Sequence, residues 1–381
     1  MTQDGLPDPL LLELAADNPV LPVAGPGGKA WLITGHEAVR EALSEPSRFT
    51  SVIDPAVTDA RARAGVSMVG LDPPDHTRVR KLAAKAFTAR RIQGLVPSVE
   101  RVVTTLLDAM AEAGPPADLV TSLAVPLPLH MMCQMLDLPA EDQPGFLRWS
   151  DVFTGMNTGY TMEEVADAND KLHAYMLDLA ARRRKHLGED LLSDLIRARD
   201  GEDALTEQEL LNTMVLLLVA GHQTTVRAIV RSVLVLLHSG QWKRFAAAEV
   251  TAEQVVEEAL RHQTPIDTGL FRRAAVDTEI AGVQIKAGEQ VFLSVHLANF
   301  DRNAWHEPHV FDPGRGDQRH LAFGHGVHFC LGAPLARLEL STALSLLAAR
   351  FPGLRMDVPL DELTWTVGSW LNSLVALPVT W

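Results

Sequence analysis

The chain has 381 residues, of which 47% are apolar, 22% charged and 6% aromatic, a composition that excludes a disordered or fibrous protein. Its 34 Lys and Arg against 48 Asp and Glu give a net charge of -14, which excludes a general nucleic-acid binder, since that function needs a basic field. The cysteines Cys133 and Cys330 form no CxxC pair and no disulfide framework, so a reducing, cytoplasmic setting is expected. No basic run followed by an apolar stretch opens the chain, so no export signal is expected. The most apolar segment, 214–220, runs into Gly221, His222, Gln223, Arg227 and Arg231 too soon for the ~20 residues of a span, so no membrane helix is expected.

After an irregular start rich in Pro and Gly, 29–34 reads as a strand and 36–43 as a helix with Ala38, Val39, Ala42 and Leu43 on one face. Helical periodicity continues over 75–88, 92–113, 119–136, 141–153, 162–186 and 190–199. A capping box, Thr206 with Glu209, opens the longest helix, which runs about 33 residues to a stop at Gly240, or roughly 50 Å. A second box, Thr251 with Gln254, opens a helix that ends before Pro265. Strands follow over 279–285, alternating Ile280, Val283 and Ile285 around Gly282, and over 290–295 after a turn at 286–289. A last helix over 331–350 and short strands to the end complete the chain. Without a linker or repeat, residues 1–381 read as one mostly helical α+β domain, with β-containing parts near 29–34, 268–295 and 353–381 and helical parts at about 75–262 and 331–350.

Cys330 lies in a loop rich in Gly and aromatics that runs directly into a helix. Helix N-termini offer unpaired N–H groups and a positive dipole end, which lower a thiol pKa and hold a thiolate. Gly324, Gly326 and Gly332 let the backbone pass close to a flat partner, with Phe323 beside it. Two other readings stay open at this point. One makes Cys330 a small buried hydrophobe, the commonest fate of a lone cysteine. The other gathers His320, His325, His328 and Cys330 as metal ligands, though a zinc site usually shows tighter paired spacing and a second cysteine.

The pattern Phe323-x-x-Gly326-x-His328-x-Cys330-x-Gly332 resembles the haem-ligand loop of the cytochrome P-450 family, the haem-thiolate monooxygenases. Glu258-x-x-Arg261 resembles that family's ion-pair motif, and 311–315 resembles the segment whose arginine, Arg315, completes the network. The stretch 220–225 resembles the oxygen-binding part of its central helix. The likeness covers nearly the whole chain and is closest to soluble bacterial members.

The resemblance implies the cytochrome P-450 fold, a helix-rich domain with small sheets and a long central helix. It implies haem b (iron protoporphyrin IX) with Cys330 as the metal ligand and Phe323, Gly324 and Gly332 around it. His76, Arg80, Arg272 and His328 become partners of the haem propionates, although each also reads as a solvated or capping side chain. Gly221 and Thr224 would open a groove for O2 and supply a hydroxyl donor; a helix bend with Thr bonded to the i−4 carbonyl is the plainer account, and the two are compatible. Gln223 stands where the family usually has an acid, and an amide does not titrate, so the usual carboxylate relay is in doubt. Arg227 and Arg231 continue its stripe as a polar face paired with acids elsewhere.

The implied reaction hydroxylates or epoxidises a lipophilic metabolite, such as a polyketide, macrolide or terpenoid intermediate, with electrons from NAD(P)H through a ferredoxin and its reductase. Leu216, Leu217, Ala220, Ile266, Leu270 and Trp370 are expected to face the substrate, together with the loop 51–70. Six basic residues, Arg78, Arg80, Lys81, Lys85, Arg90 and Arg91, lie in a stretch without Asp or Glu from His76 on, and with Arg80 turned inward to a propionate the rest are expected to form the basic docking patch. Oxidative coupling, peroxide-driven oxidation and a haem-free helical binding protein are the alternatives.

Overall fold

The computed structural model describes all residues except 1, 3, 26–27, 53–66, 140–141, 155–159, 189, 200–204, 268 and 367–371. The start of the chain is regular rather than irregular. Asp8 caps α1 (Pro9–Asp17) by accepting the Leu10 N–H at 2.9 Å, and Pro9, which lacks an N–H to satisfy, opens it. The hairpin β1 (Val20–Gly25) and β2 (Gly28–Ile33), the helix α2 (His36–Ser44) and the short strand β3 (Phe49–Thr50) follow. A helical series comes next: α3 (Asp75–Ala84), α4 (Ala89–Ala113), the edge strand β4 (Ala117–Asp118), α5 (Pro126–Leu136), α6 (Gln143–Thr154), α7 (Met162–Arg183), α8 (Leu191–Arg199), α9 (Glu207–His238), α10 (Trp242–Ala246) and α11 (Ala252–His262). The helix expected over 75–88 ends at Ala84 and tightens to a 3₁₀ turn, and the one expected over 119–136 begins as a π-helical turn, Val120–Ala124, before α5.

The remainder is β5 (Leu270–Ala274), β6 (Thr278–Ile280), β7 (Val283–Ile285), β8 (Gln290–Leu293), α12 (Val295–Ala298), α13 (Ala333–Arg350), β9 (Arg355–Met356) and β10 (Pro378–Thr380). The strand expected over 279–285 is instead the hairpin β6–β7, because Ala281 (φ 47) and Gly282 (φ 78) both turn left-handed. The strand expected over 290–295 ends at Leu293, where Ser294 accepts the Leu297 N–H and starts α12. The main sheet runs β1-β2-β8-β5-β3, with β2 and β8 parallel and the other neighbours antiparallel; β4-β10-β9 forms a second.

Both expected capping boxes form, at Thr206 with Glu209 and Thr251 with Gln254. By length and apolar content α9 is the one described helix that could cross a bilayer, yet 78% of its apolar window is buried inside the protein. Its N-terminal half, Leu210 to Val219, packs into a core with α5, α7 and α8. Its C-terminal half, Val226 to Leu236, packs into a second core with α4, α11 and α13. Between the two halves lie Gly221 to Thr225, and there the helix borders a cavity.

Candidate active site

A cavity open to solvent lies between the middle of α9, the residues Pro265, Ile266 and Leu270, and the loop that carries Cys330. Leu216, Leu217, Ala220, Gly221, Thr224, Ile266 and Leu270 line it, and Trp370 lies outside the described residues, as does most of the 51–70 loop. Met68, in the described end of that loop, lines it as expected, and so do Phe87 and Met132, for which the sequence carried no local signal.

On the opposite wall the Cys330 thiol faces the cavity. The loop is closed by its own backbone: the Cys330 N–H donates to the Phe323 carbonyl at 2.8 Å and the Gly324 N–H to the Leu321 carbonyl at 2.8 Å. Burial pushes the thiol pKa up, opposed by N–H groups of Gly332 and Ala333 at the start of α13 and by the Arg80 and Arg337 guanidinium charges. The three glycines serve different ends. Gly324 and Gly332 border the cavity, whereas Gly326, at φ 67, turns towards α2, where a Cβ would collide with the Leu43 carbonyl oxygen. Its requirement comes from loop-to-helix packing and not from a flat partner.

Glu258, Arg261 and Arg315 form a closed network behind this wall. Arg261 Nε and Nη2 donate to the two carboxylate oxygens of Glu258, each at 2.8 Å, and Arg315 Nε reaches both at 3.3 Å. Arg261 Nη1 also donates to the Asn299 and Pro308 carbonyls at 2.8 and 2.9 Å, which ties α11 to the chain leading into the cysteine loop. A neighbouring cluster went unread in the sequence. Arg337, stacked over the Phe323 ring at 4.5 Å, donates to Glu257 at 2.6 and 2.9 Å, and His320 joins the same carboxylate at 3.2 Å. Burial pushes the Glu257 carboxyl up, but these bonds outweigh it and hold the group well below the usual range. His320 is therefore committed to Glu257, away from Cys330.

Polar groups gather at one edge of the cavity. His76 is 1% exposed, neither ring nitrogen has a hydrogen bond, and its ring packs against His328 at 4.1 Å. His328 sits 3.1 Å from the Ser51 hydroxyl, and burial, with His76 and Arg272 nearby, lowers its pKa to about 4. Arg80 borders the cavity and donates to the Phe329 carbonyl. Arg272 is buried next to this group, donating to the Phe271 carbonyl at 2.7 Å, but is not on the cavity wall.

On α9 the Thr224 hydroxyl donates to the Ala220 carbonyl at 2.7 Å and that of Thr225 to the Gly221 carbonyl at 3.0 Å. Gly221 is not an open groove: a Cβ there would lie 2.6 Å from the Met132 sulfur, so the glycine admits the α5 side chain. Gln223 is buried off the cavity wall, with its carbonyl accepting from Arg227 Nη1 at 3.3 Å. Arg227 and Arg231 are buried, and Arg231 finds the acid expected for the stripe, pairing with Asp267 at 2.8 Å.

A cytochrome P-450 family model matches residues 241–362. Nocardicin C N-oxygenase of Nocardia uniformis subsp. tsuyamanensis is 43% identical, covering 98% of this chain and 97% of its own. The mycinamicin IV hydroxylase/epoxidase of Micromonospora griseorubida is 41% identical over 97% of this chain and 94% of its own. Among solved structures, the LnmA cytochrome P-450 hydroxylase from the leinamycin pathway of Streptomyces atroolivaceus superposes with a TM-score of 0.91 at 38% identity, covering 99% of this chain and 97% of its own. Fold and likeness together define an oxygen-activating haem enzyme. The chain belongs to the cytochrome P-450 family and is a monooxygenase that uses haem, O2 and electrons from redox partners.

Proposed function

We propose that Cys330 holds the haem iron and that the cavity takes a medium to large lipophilic metabolite, which the enzyme hydroxylates or epoxidises in secondary metabolism. The observation that carries this reading is the pairing, across one apolar cavity, of a thiol at a helix N-terminus with Thr224 on α9. The residues present fit a flat apolar disc with anionic groups at one edge. Phe323, Leu331 and Leu335 supply an apolar wall, and buried His76, neither of whose ring nitrogens has a hydrogen bond, offers one N–H donor to an anion beside Arg80. His76, Arg80 and His328 would hold the propionates at the cavity edge, and Arg272 would add its charge from behind.

When bound, the thiolate-ligated haem supplies O–O cleavage and oxygen insertion. The rest is work for the protein. Gly332 and Ala333 N–H groups hold the sulfur, and the Glu258 network keeps its loop rigid. Leu216, Leu217, Ala220, Ile266 and Leu270 orient an apolar molecule by shape and exclude water around it. Thr224 turns its hydroxyl from the Ala220 carbonyl to hold a proton at the oxygen-binding face. Gln223, non-titrating and off the cavity wall, leaves proton supply to water.

Electrons would come from NAD(P)H through a ferredoxin docked beside the cysteine loop. The basic patch is smaller than its sequence suggested. Arg78 is bound to Glu209 and Arg91 to Asp194, while Lys81, Lys85 and Arg90 are exposed and make no ion pair among the described residues. Likeness to nocardicin C N-oxygenase and to the mycinamicin enzyme supports a biosynthetic metabolite as substrate. The ferrous carbonyl spectrum tests the central assignment: wild type should show the red-shifted Soret band of thiolate ligation and Cys330→Ser should lose it. An unchanged band in that variant would sink the proposal.

A further inference from the structure

We propose that Arg231 is a positioning residue for the substrate cavity, fastening the segment that carries Ile266 to the back of α9 and so setting the cavity's width opposite Thr224. The proposal rests on the reading that this cavity receives the substrate. Arg231 does not itself line the cavity; it acts through what it holds.

Its guanidinium is 1% exposed and bonds to chain segments far apart in sequence. Nη1 donates to the Thr264 carbonyl at 2.8 Å, and Nη2 donates to Asp267 Oδ2 at 2.8 Å and to the Asn372 carbonyl at 2.9 Å. Thr264 and Asp267 bracket Pro265 and Ile266, both of which line the cavity. One side chain thus pins both ends of the short stretch that presents Ile266. Asn372 Nδ2 adds a bond to the same Asp267 oxygen at 3.3 Å, and the Trp365 ring lies 5.3 Å from the guanidinium, so the C-terminal strand region is drawn into the same clamp.

A buried ion pair is a poor source of stability, because stripping water from both charges offsets most of their attraction. What it adds here is direction. Planar donors fix the angles of three segments at once, which apolar packing of the same volume does not do. Arg231 lies seven residues beyond Thr224 on the same helix, about 10 Å along the axis, so the clamp is referenced to the helix that carries the reactive face.

The test uses the holoenzyme and two iron-ligating probes of different size, imidazole and clotrimazole, titrated by the haem absorption shift. Arg231→Met and Asp267→Asn should change the clotrimazole Kd by about fivefold or more and the imidazole Kd by less than about twofold, while haem content and the ferrous carbonyl band stay as in wild type. Arg231→Lys, which keeps one charged donor for Asp267, should recover part of the change. If Arg231→Met fails to accumulate as holoprotein, the isosteric Asp267→Asn carries the test. Equal shifts for both probes, or no shift for either, with a normal carbonyl band would overturn the positioning role alone. A wild type whose haem binds imidazole but is not reached by clotrimazole would overturn the underlying cavity reading instead.

Discussion

The two walls of the cavity are built on different principles. The cysteine wall is determined by polar bonds: the loop closes on its own backbone, and Arg261 reaches a carboxylate and three carbonyls from a fully buried position. The substrate-facing side is determined by shape, lined by Met132, Leu217 and Ile266 with a polar clamp acting from behind. A wall that fixes one side chain in one place requires directional bonds. A wall that must accept one organic molecule among many requires volumes that change by small substitutions.

The largest break should come on the cysteine side. Glu258→Ala or Arg261→Ala strands a buried charge at about 3–5 kcal/mol, so little haem-loaded protein should accumulate, measured as haem absorbance per protein. Normal loading and melting in both variants would show that the polar wall is not what holds the loop.

One group on that side departs from the rule. Glu339 on α13 is 1% exposed, its Oε2 has no hydrogen bond, and burial pushes its pKa up to about 8. An unfolded glutamate titrates near about 4.3, so between these values the folded chain holds a proton that the unfolded chain has released. This contribution to stability is complete below about pH 4 and is lost as pH rises through about 8, with a slope of up to about 1.4 kcal/mol per pH unit. Glu339→Gln should flatten the curve of unfolding free energy over that window. An identical curve in the variant would mean that the carboxyl finds a partner when charged.

On the α9 side, Thr224→Ala should leave O2 and NAD(P)H consumption running while product per electron pair falls about tenfold or more, as hydrogen peroxide takes its place. Coupling at the wild-type level would remove Thr224 as donor. Between the walls, the surface patch predicts a salt effect. Lys81→Glu with Lys85→Glu should slow reduction by a ferredoxin several-fold at low ionic strength, with the gap closing near 0.1 M, where charges are screened over about 10 Å. A double mutant reduced as fast as wild type would move the docking site elsewhere.

The same contrast decides what was legible in the sequence. The boxes at Thr206 and Thr251, the Cys330 loop and the Glu258 to Arg261 spacing are local patterns in which neighbouring residues satisfy one another, and each can be seen without a partner. Misread elements needed a dihedral or a distant contact. Ala281 gives no sign that it will turn left-handed, and the strand expected through it became a hairpin. Arg231 reads as a residue that needs an acid elsewhere, but which partners it meets is hidden, because Asp267 and Asn372 are brought to it only by the fold. Met132 was missed for the same reason, since nothing near it in the chain points to Gly221.

That contact carries the smallest and sharpest test of the shape-determined wall. Gly221→Ala raises helix propensity by about 1 kcal/mol, and the new methyl would stand 2.6 Å from the Met132 sulfur, which must yield. The thioether is flexible, so it swings aside at little cost, and the space open to it is the cavity that both residues border. Melting should therefore move by no more than a degree or two, about the propensity gain less the cost of repacking, while clotrimazole binds two- to threefold more weakly and imidazole as before. Adding Met132→Val removes the displaced sulfur and should restore the clotrimazole affinity. If Gly221→Ala instead weakens both ligands equally, or if Met132→Val restores nothing, the glycine serves the helix backbone at the oxygen face, and the wall there is set by the bond from Thr225 to the Gly221 carbonyl rather than by packing against α5.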